Sequence, residues 1–308
     1  MAGVKTALFG RSVPNGLFTI ESQDFTTGSH FFVHSVTGTD GAAYGSNPET
    51  PYATIDYAIG KCTDSKGDII HVMPGHAETL ASATAMVCDV IGVTIRGVSK
   101  NPGLMPKVTL GTADTTIVSV TAAGVTLENI WFIANFINIA KIINVAGADC
   151  HIRNCRFTET GGNLNALIAI LGGGTTTANR MLVERCYFDL PDTDNTIGIS
   201  LPGTPDGVII RNNIMIGDWG TGAIVSVGIS TNLSVCDNYI RNAGAAGAGT
   251  SVGIVCADTA TGLAFNNRLG TGGIVTDGMK ADALAKCENY HVDIAGADVQ
   301  GLLDPIGT

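Results

Sequence analysis

The chain has 308 residues, with 17 Lys and Arg against 27 Asp and Glu, a net charge of −10. Only 14% of it is charged, against a usual share of about 25%. No cluster of cations forms a stripe, which excludes nucleic acid and anionic membrane surfaces as expected partners, and no stretch is long and apolar enough for a spanning helix.

Residues 1–29 stand apart from the rest of the chain. They hold Pro14 and little periodicity, and read either as an arm gripping another subunit or as a frayed terminus. The opening MAGVKTALFGRSVPNG carries one Lys and too short an apolar run for a signal peptide, so folding in a cytoplasm is expected. A strand is then predicted at Phe31–Val36, followed by a Gly/Asp turn. Thr50 with Pro51 predicts a helix start, and Ile55, Ala58 and Ile59 give that helix an apolar face. A second strand, Asp68–Met73, ends at Pro74-Gly75.

From there one segment recurs. It reads VTLENIWF at Val125–Phe132, CHIRNCRF at Cys150–Phe157 and MLVERCYF at Met181–Phe188. It continues as VIIRNNIM at Val208–Met215 and LSVCDNYI at Leu233–Ile240. Weaker copies begin at Val93, Leu263 and Leu284. The third positions, Ile95, Leu127, Ile152, Val183, Ile210, Val235, Phe265 and Lys286, are 32, 25, 31, 27, 25, 30 and 21 residues apart. Positions 1, 3 and 8 are apolar, so each copy predicts a strand, a sharp bend and a second strand. The bend is expected at position 6, where Asn213 and Asn238 stand, because Asn tolerates left-handed dihedrals. Stacked Asn residues are expected to bond to one another from coil to coil.

Between the copies lie short β-branched runs: TIVSVTAAG at Thr116–Gly124, KIINVAGA at Lys141–Ala148 and ALIAILGGG at Ala166–Gly174. The series continues with TIGISLPG at Thr196–Gly203, AIVSVGIS at Ala223–Ser230 and SVGIVCAD at Ser251–Asp258. Two or three strands per repeat make one rung of a solenoid. The expected fold is all-β, a right-handed parallel β-helix with an N-terminal capping helix. With rungs about 4.8 Å apart, some eight or nine coils give a rod roughly 40 Å long. The expected division is an arm at 1–29, the β-helix with its cap at 30–294, and a tail at 295–308. A solenoid exposes its core at each end, and the Pro51–Ala58 helix is the expected cover.

Gly38-Thr39-Asp40-Gly41, that helix, and Gly67-Asp68-Ile69-Ile70 through Pro74-Gly75 to Glu78 resemble the opening of the pectate-lyase-like parallel β-helix superfamily, as found in bacteriophage tailspike and virion proteins. The resemblance covers roughly Phe31 to Asp293 at the level of fold. The family usually has an aromatic residue after the Pro-Gly, where this chain has His76. The resemblance implies a fold and leaves activity open, since the superfamily includes lyases, hydrolases and non-enzymes.

Little catalytic chemistry is legible. The Asn-Thr-Asp, Asp-Asp, Gly-His-Gly and Arg-Ile-Lys motifs of the polygalacturonases are absent, as are the Arg-rich signatures of pectate lyases. One acidic group remains, Asp189, Asp192 and Asp194 in DLPDTDNT, which reads as an exposed turn or, in the alternative, as a carboxylate pair or calcium site. Asp206 and Asp218 are candidates to join it from neighbouring coils. The six histidines lack metal-site spacing and read as structural. The glycine stretches 172–174 and 244–249 read as loops. The eight cysteines lack zinc spacing and read as reduced, buried small hydrophobes. Trp131 is expected to point outward, as a sugar platform or subunit contact.

The expected function is a non-catalytic bacteriophage virion protein: a surface spike or capsid decoration protein, homotrimeric and without metal or cofactor. Capsid or tail proteins and a host surface polysaccharide are its expected partners. The competing expectation is a polysaccharide lyase or glycoside hydrolase, a depolymerase using Asp189, Asp192 and Asp194. A non-catalytic adhesin would need exposed aromatics in a row, and 6% aromatics gives that little support.

Overall fold

The computed structural model describes residues 26–99, 101–173, 178–243, 252–272, 278–293 and 302–303. Their strands form three sheets of ten, ten and eight strands. The chain visits the sheets in rotation. Thr94–Gly97 lies in the first, Lys107–Leu110 in the second and Val118–Val120 in the third, before Thr126–Glu128 returns to the first. Strands in neighbouring coils pair in parallel, except that Leu302–Leu303 lies antiparallel to Asn289–Asp293. This is a parallel β-helix, as the copied segments predict. The two strands of each copy supply the first two sheets, and the β-branched runs between copies supply the third. Among the described residues no helix is long and apolar enough to cross a membrane.

The core is a set of inward rows, one residue per coil. Ile95, Leu127, Ile152, Val183, Ile210, Val235 and Ala264 form one row and are all fully buried. Phe132, Phe157 and Phe188 form another, with ring centroids 5.4 and 4.6 Å apart. Burying each such side chain contributes about 1.5–3 kcal/mol.

Two details of the repeat differ from expectation. The left-handed corner is at position 5: Asn129, Asn154, Arg185, Asn212, Asp237, Asn266 and Glu288 all have φ between 50° and 58°. Position 6 instead points inward. There Asn213, Asn238, Asn267 and Asn289 are buried and form a ladder, each Nδ2 donating to the next Oδ1 at 2.8–3.0 Å. The ladder forms at the position where coil-to-coil bonding was expected, and the corner lies one position before it. A residue at the corner is half-buried or exposed, so Arg and Glu serve there, whereas a polar residue at position 6 is enclosed and needs partners. The second difference is a slip of one residue. Val235 pairs with Ala264, and Phe265 faces outward at 36% exposure. A one-residue shift moves a side chain to the other face of the sheet, so the larger side chain was the wrong guide to the core.

The opening coil is also tighter than expected. The first strand is His30–Val33, and the chain then turns, with the Gly38 N–H donating to the His34 carbonyl. Thr50 and Pro51 do not begin a helix. Tyr52 pairs with Val33 in a parallel bridge, which keeps this stretch extended. The helix, α1, is only Ile55–Ile59, with Thr54 as N-cap. Ile55, Ala58 and Ile59 are buried as predicted. His76, standing where the resembling family has an aromatic, is buried and lies 3.3 Å from Glu78, whose Oε2 also accepts the Ile55 N–H. All eight cysteines are free. Six are buried, but Cys62 is half-buried and Cys287 is exposed, because Cys287 occupies an outward position of its strand. Burial pushes the Cys150 thiol up to about 11 and that of Cys256 to about 12, so both stay protonated and inert. Residues 1–25 of the expected arm, most of the expected tail, Gly174 and Gly244–Gly249 lie outside the described residues.

Candidate functional site

Two places on the rod bring reactive side chains together. The first is the corner between the second and third sheets. Strand Arg156–Glu159 ends there, one coil before Tyr187–Leu190. The Glu159 carboxylate accepts the Asp192 backbone N–H and, at 3.1 Å, the Asn195 side-chain amide. Burial pushes Glu159 up to about 7, against the lowering effect of these bonds, and the charges of Asp192 and Asp189 add to the rise. Burial, with Asp192 nearby, also raises Asp218.

The sequence-named aspartates are therefore split. Asp189 and Asp192 belong to this cluster, while Asp194 is exposed in the turn, its N–H donating to the Asp192 carboxylate at 2.9 Å. Asp218 joins from the next coil, as stacking allowed. Asp206 does not. It is at the opposite corner, accepting from Thr231 and Asn232, and those bonds lower its pKa. Glu159 was missed because it ends an ordinary strand in RFTE, and only its partners one coil on, Asp192 and Asn195, mark it. Among the described residues no three His, Cys, Asp or Glu side chains could hold a metal ion.

The second place is the corner between the first and second sheets. Residues 98–99 and 101–106, with a 3-10 turn at Pro102–Leu104, bulge over the next coils. Asn129 holds it down, its amide donating to the carbonyls of Gly97 and Ser99, both at 2.7 Å. Gly97 has to be glycine there, since a Cβ would be 2.1 Å from the Asn129 carbonyl oxygen. Beneath the bulge run two adjoining grooves of about 470 and 580 Å³, which share Ser99, Asn129 and Asn154.

Their walls differ in charge balance. On the first sheet, cations and carboxylates alternate along one outward row. Arg96 and Arg153 donate to Glu128 at 2.6 and 3.2 Å, and Arg211 donates to Glu184 at 2.8 Å. On the second sheet, the outward row runs Lys107, Trp131, Arg156, Tyr187. Trp131 points outward, as expected. It is no open platform, however: Lys107 and Arg156 lie over its ring at 4.8 and 4.5 Å, and its Nε1 donates to Thr158. Arg156 also lies 5.3 Å from the Tyr187 ring. Its Nε is buried and finds no acceptor among the described residues. Four histidines are engaged structurally. His30 stacks on His71, His34 bonds to Thr37, and His291 bonds to Thr271.

No protein-family model and no curated protein matches this sequence. Among solved structures, the chain is similar to a rhamnogalacturonan lyase, with 10% identity, a TM-score of 0.41 and 89% of each chain covered. It is also similar to Escherichia coli YbhC, with 14% identity and a TM-score of 0.46, covering 95% of this chain and 86% of that one. At such identities and scores these are likenesses of winding alone.

Proposed function

We propose that the chain is a non-catalytic bacteriophage virion protein, a surface spike or capsid decoration protein that works as a homotrimer. The supporting observation is the outer surface of the later coils. Ile209 and Leu263 lie outward on the first sheet, and Ile214, Tyr239, Tyr290 and Val292 on the second, all between 36% and 52% exposed. Phe265 adds to the first face. These apolar side chains recur along two adjoining long faces, interrupted by Ser234 and Arg268, and such apolar surface is of the kind that marks a protein contact. Three copies packed lengthwise would cover it. In this reading α1, whose buried face packs against the first coil, covers the open end of the core.

The test is the solution mass by light scattering. The wild-type protein is expected at about three times the 31.6 kDa chain. Leu263→Asp, which places a carboxylate in the contact, is expected to run as a monomer with unchanged circular dichroism. A wild-type monomer at micromolar concentration overturns the proposal.

A second reading, a polysaccharide depolymerase, is favoured by one observation. Glu159, held near 7 beside Asp189 and Asp192, has the protonation a general acid needs, with carboxylates alongside to serve as base or nucleophile. A protonated acid is lost as pH rises through about 7, so cleavage should fall there. Glu159→Gln should reduce cleavage about 100-fold or more. Cleavage of a polysaccharide panel that is unchanged in this variant rules out the assignment.

A further inference from the structure

We propose that the groove beneath Ser99 and the Pro102–Leu104 turn binds an acidic oligosaccharide, with Arg156 and Arg185 receiving its carboxylate. A contrast in pairing points there. Arg96, Arg153 and Arg211, on the adjacent sheet, each have a glutamate within 3.2 Å. Arg156 and Arg185 line the groove and have no carboxylate partner among the described residues. Two uncompensated guanidiniums converge on one concave site in a chain of net charge −10. Such a pair attracts an anion, and a guanidinium fork matches the planar geometry of a carboxylate. Arg156 is preset for this. Trp131 and Tyr187 flank its guanidinium, which holds the fork in one orientation.

The remaining wall suits a polyhydroxylated body. The Asn129 amide nitrogen is used by the bulge, which leaves its Oδ1 to accept from a hydroxyl. The Asn154 side chain makes no hydrogen bond with the described residues and projects from a left-handed corner into both grooves. Each groove falls within the size range of small-molecule sites, about 300–1,000 Å³. Other anionic polymers fit less well. Single-stranded nucleic acid binds by stacking bases on aromatic faces, and the Trp131 ring is already engaged by Lys107 and Arg156. An acidic peptide adding as a strand needs a free sheet edge, and both sheets here continue on either side of the groove.

Ligand binding at this groove is independent of the subunit count, so it can fail while the trimer stands, and the reverse. The experiment is calorimetric titration of the full chain with hyaluronan, oligogalacturonate and polysialic acid oligomers, with maltooligosaccharides as the neutral set and dextran sulfate oligosaccharides, which carry no carboxylate, as the sulfated set. At least one carboxylated oligomer is expected to bind, and the neutral set is not. Arg185→Asn should weaken binding about tenfold or more, because charge-assisted bonds are lost. The substitution preserves the corner, since Asn already fills the equivalent positions 129, 154 and 212. Arg180→Asn is the matched control. Arg180 is also an exposed Arg at a left-handed corner, but it pairs with Asp149 away from the groove, so the variant should bind as the wild type does. Failure of every carboxylated oligomer to bind overturns the proposal. Equal binding by neutral sugars, binding of the sulfated set alone, or an equal loss in both variants does the same.

Discussion

Replacing Asn238 by alanine is expected to destabilise the rod by about 3–5 kcal/mol, read as a lower urea midpoint. The size comes from the groups left behind. The Asn238 Oδ1 accepts both the Asn213 backbone N–H at 3.1 Å and the Asn213 Nδ2 at 3.0 Å. Its own Nδ2 donates to the Ile210 carbonyl and to Asn267 Oδ1, each at 3.0 Å. Alanine removes all four bonds and strands the Asn213 N–H in a fully enclosed place. A buried donor without a partner costs about 1–3 kcal/mol, and the cavity adds to that. Asn212→Gly, one residue from the preceding rung of the ladder, is the contrast. Asn212 is exposed at φ 56°, a conformation glycine adopts freely, so this variant should lose less than about 1 kcal/mol of stability. Equal effects of the two substitutions would show that the corner, not the ladder, holds the coils in register.

Phe157→Ala is expected to cost about 3–5 kcal/mol, for a different reason. Phe157 is fully buried between Phe132 and Phe188, nearly parallel to the latter at 7°. Its removal opens a cavity and breaks two stacked contacts, each worth about 0.5–1.5 kcal/mol beyond the buried area. The neighbouring coils cannot close the gap, because parallel ladders on both sides fix their backbones. Phe157→Leu should recover much of the loss by refilling the space. The check is a denaturant titration of the three proteins side by side, and a Phe157→Ala midpoint within error of the wild type refutes it.

The winding was legible because its signal is repeated. Alternation in VTLENIWF and CHIRNCRF fixes which residues face in, and the copies fix the coil. Where a copy weakened, size misled: Phe265 outweighed Ala264 as a candidate core residue, although the Asn266-Asn267 pair already matched Asn212-Asn213. The bend was misplaced because Asn occurs at both position 5 and position 6, once for its backbone freedom and once for its amide. The candidate site was less legible, since it is assembled across coils. Asp189 and Asp192 stood out as a local cluster, but Glu159 lies 33 residues from the backbone N–H it accepts. The groove is more distant still from any motif. It exists because residues 98–99 and 101–106 overhang corners that are occupied by Asn one and two coils later and by Arg three coils later.

The rotation through three sheets has a consequence for how such a chain can change length. Asn213 and Asn238 occupy the same point on successive turns, as do Ile210 and Val235. Excising one whole turn between two such points joins residues of the same orientation and brings equivalent donors and acceptors face to face. The rod shortens by one step of about 4.8 Å, and the side chains on either side keep their directions. Reach can therefore be edited apart from recognition: turns beyond Tyr187 can be gained or lost while the grooves, built from His71 to Tyr187, stay as they are.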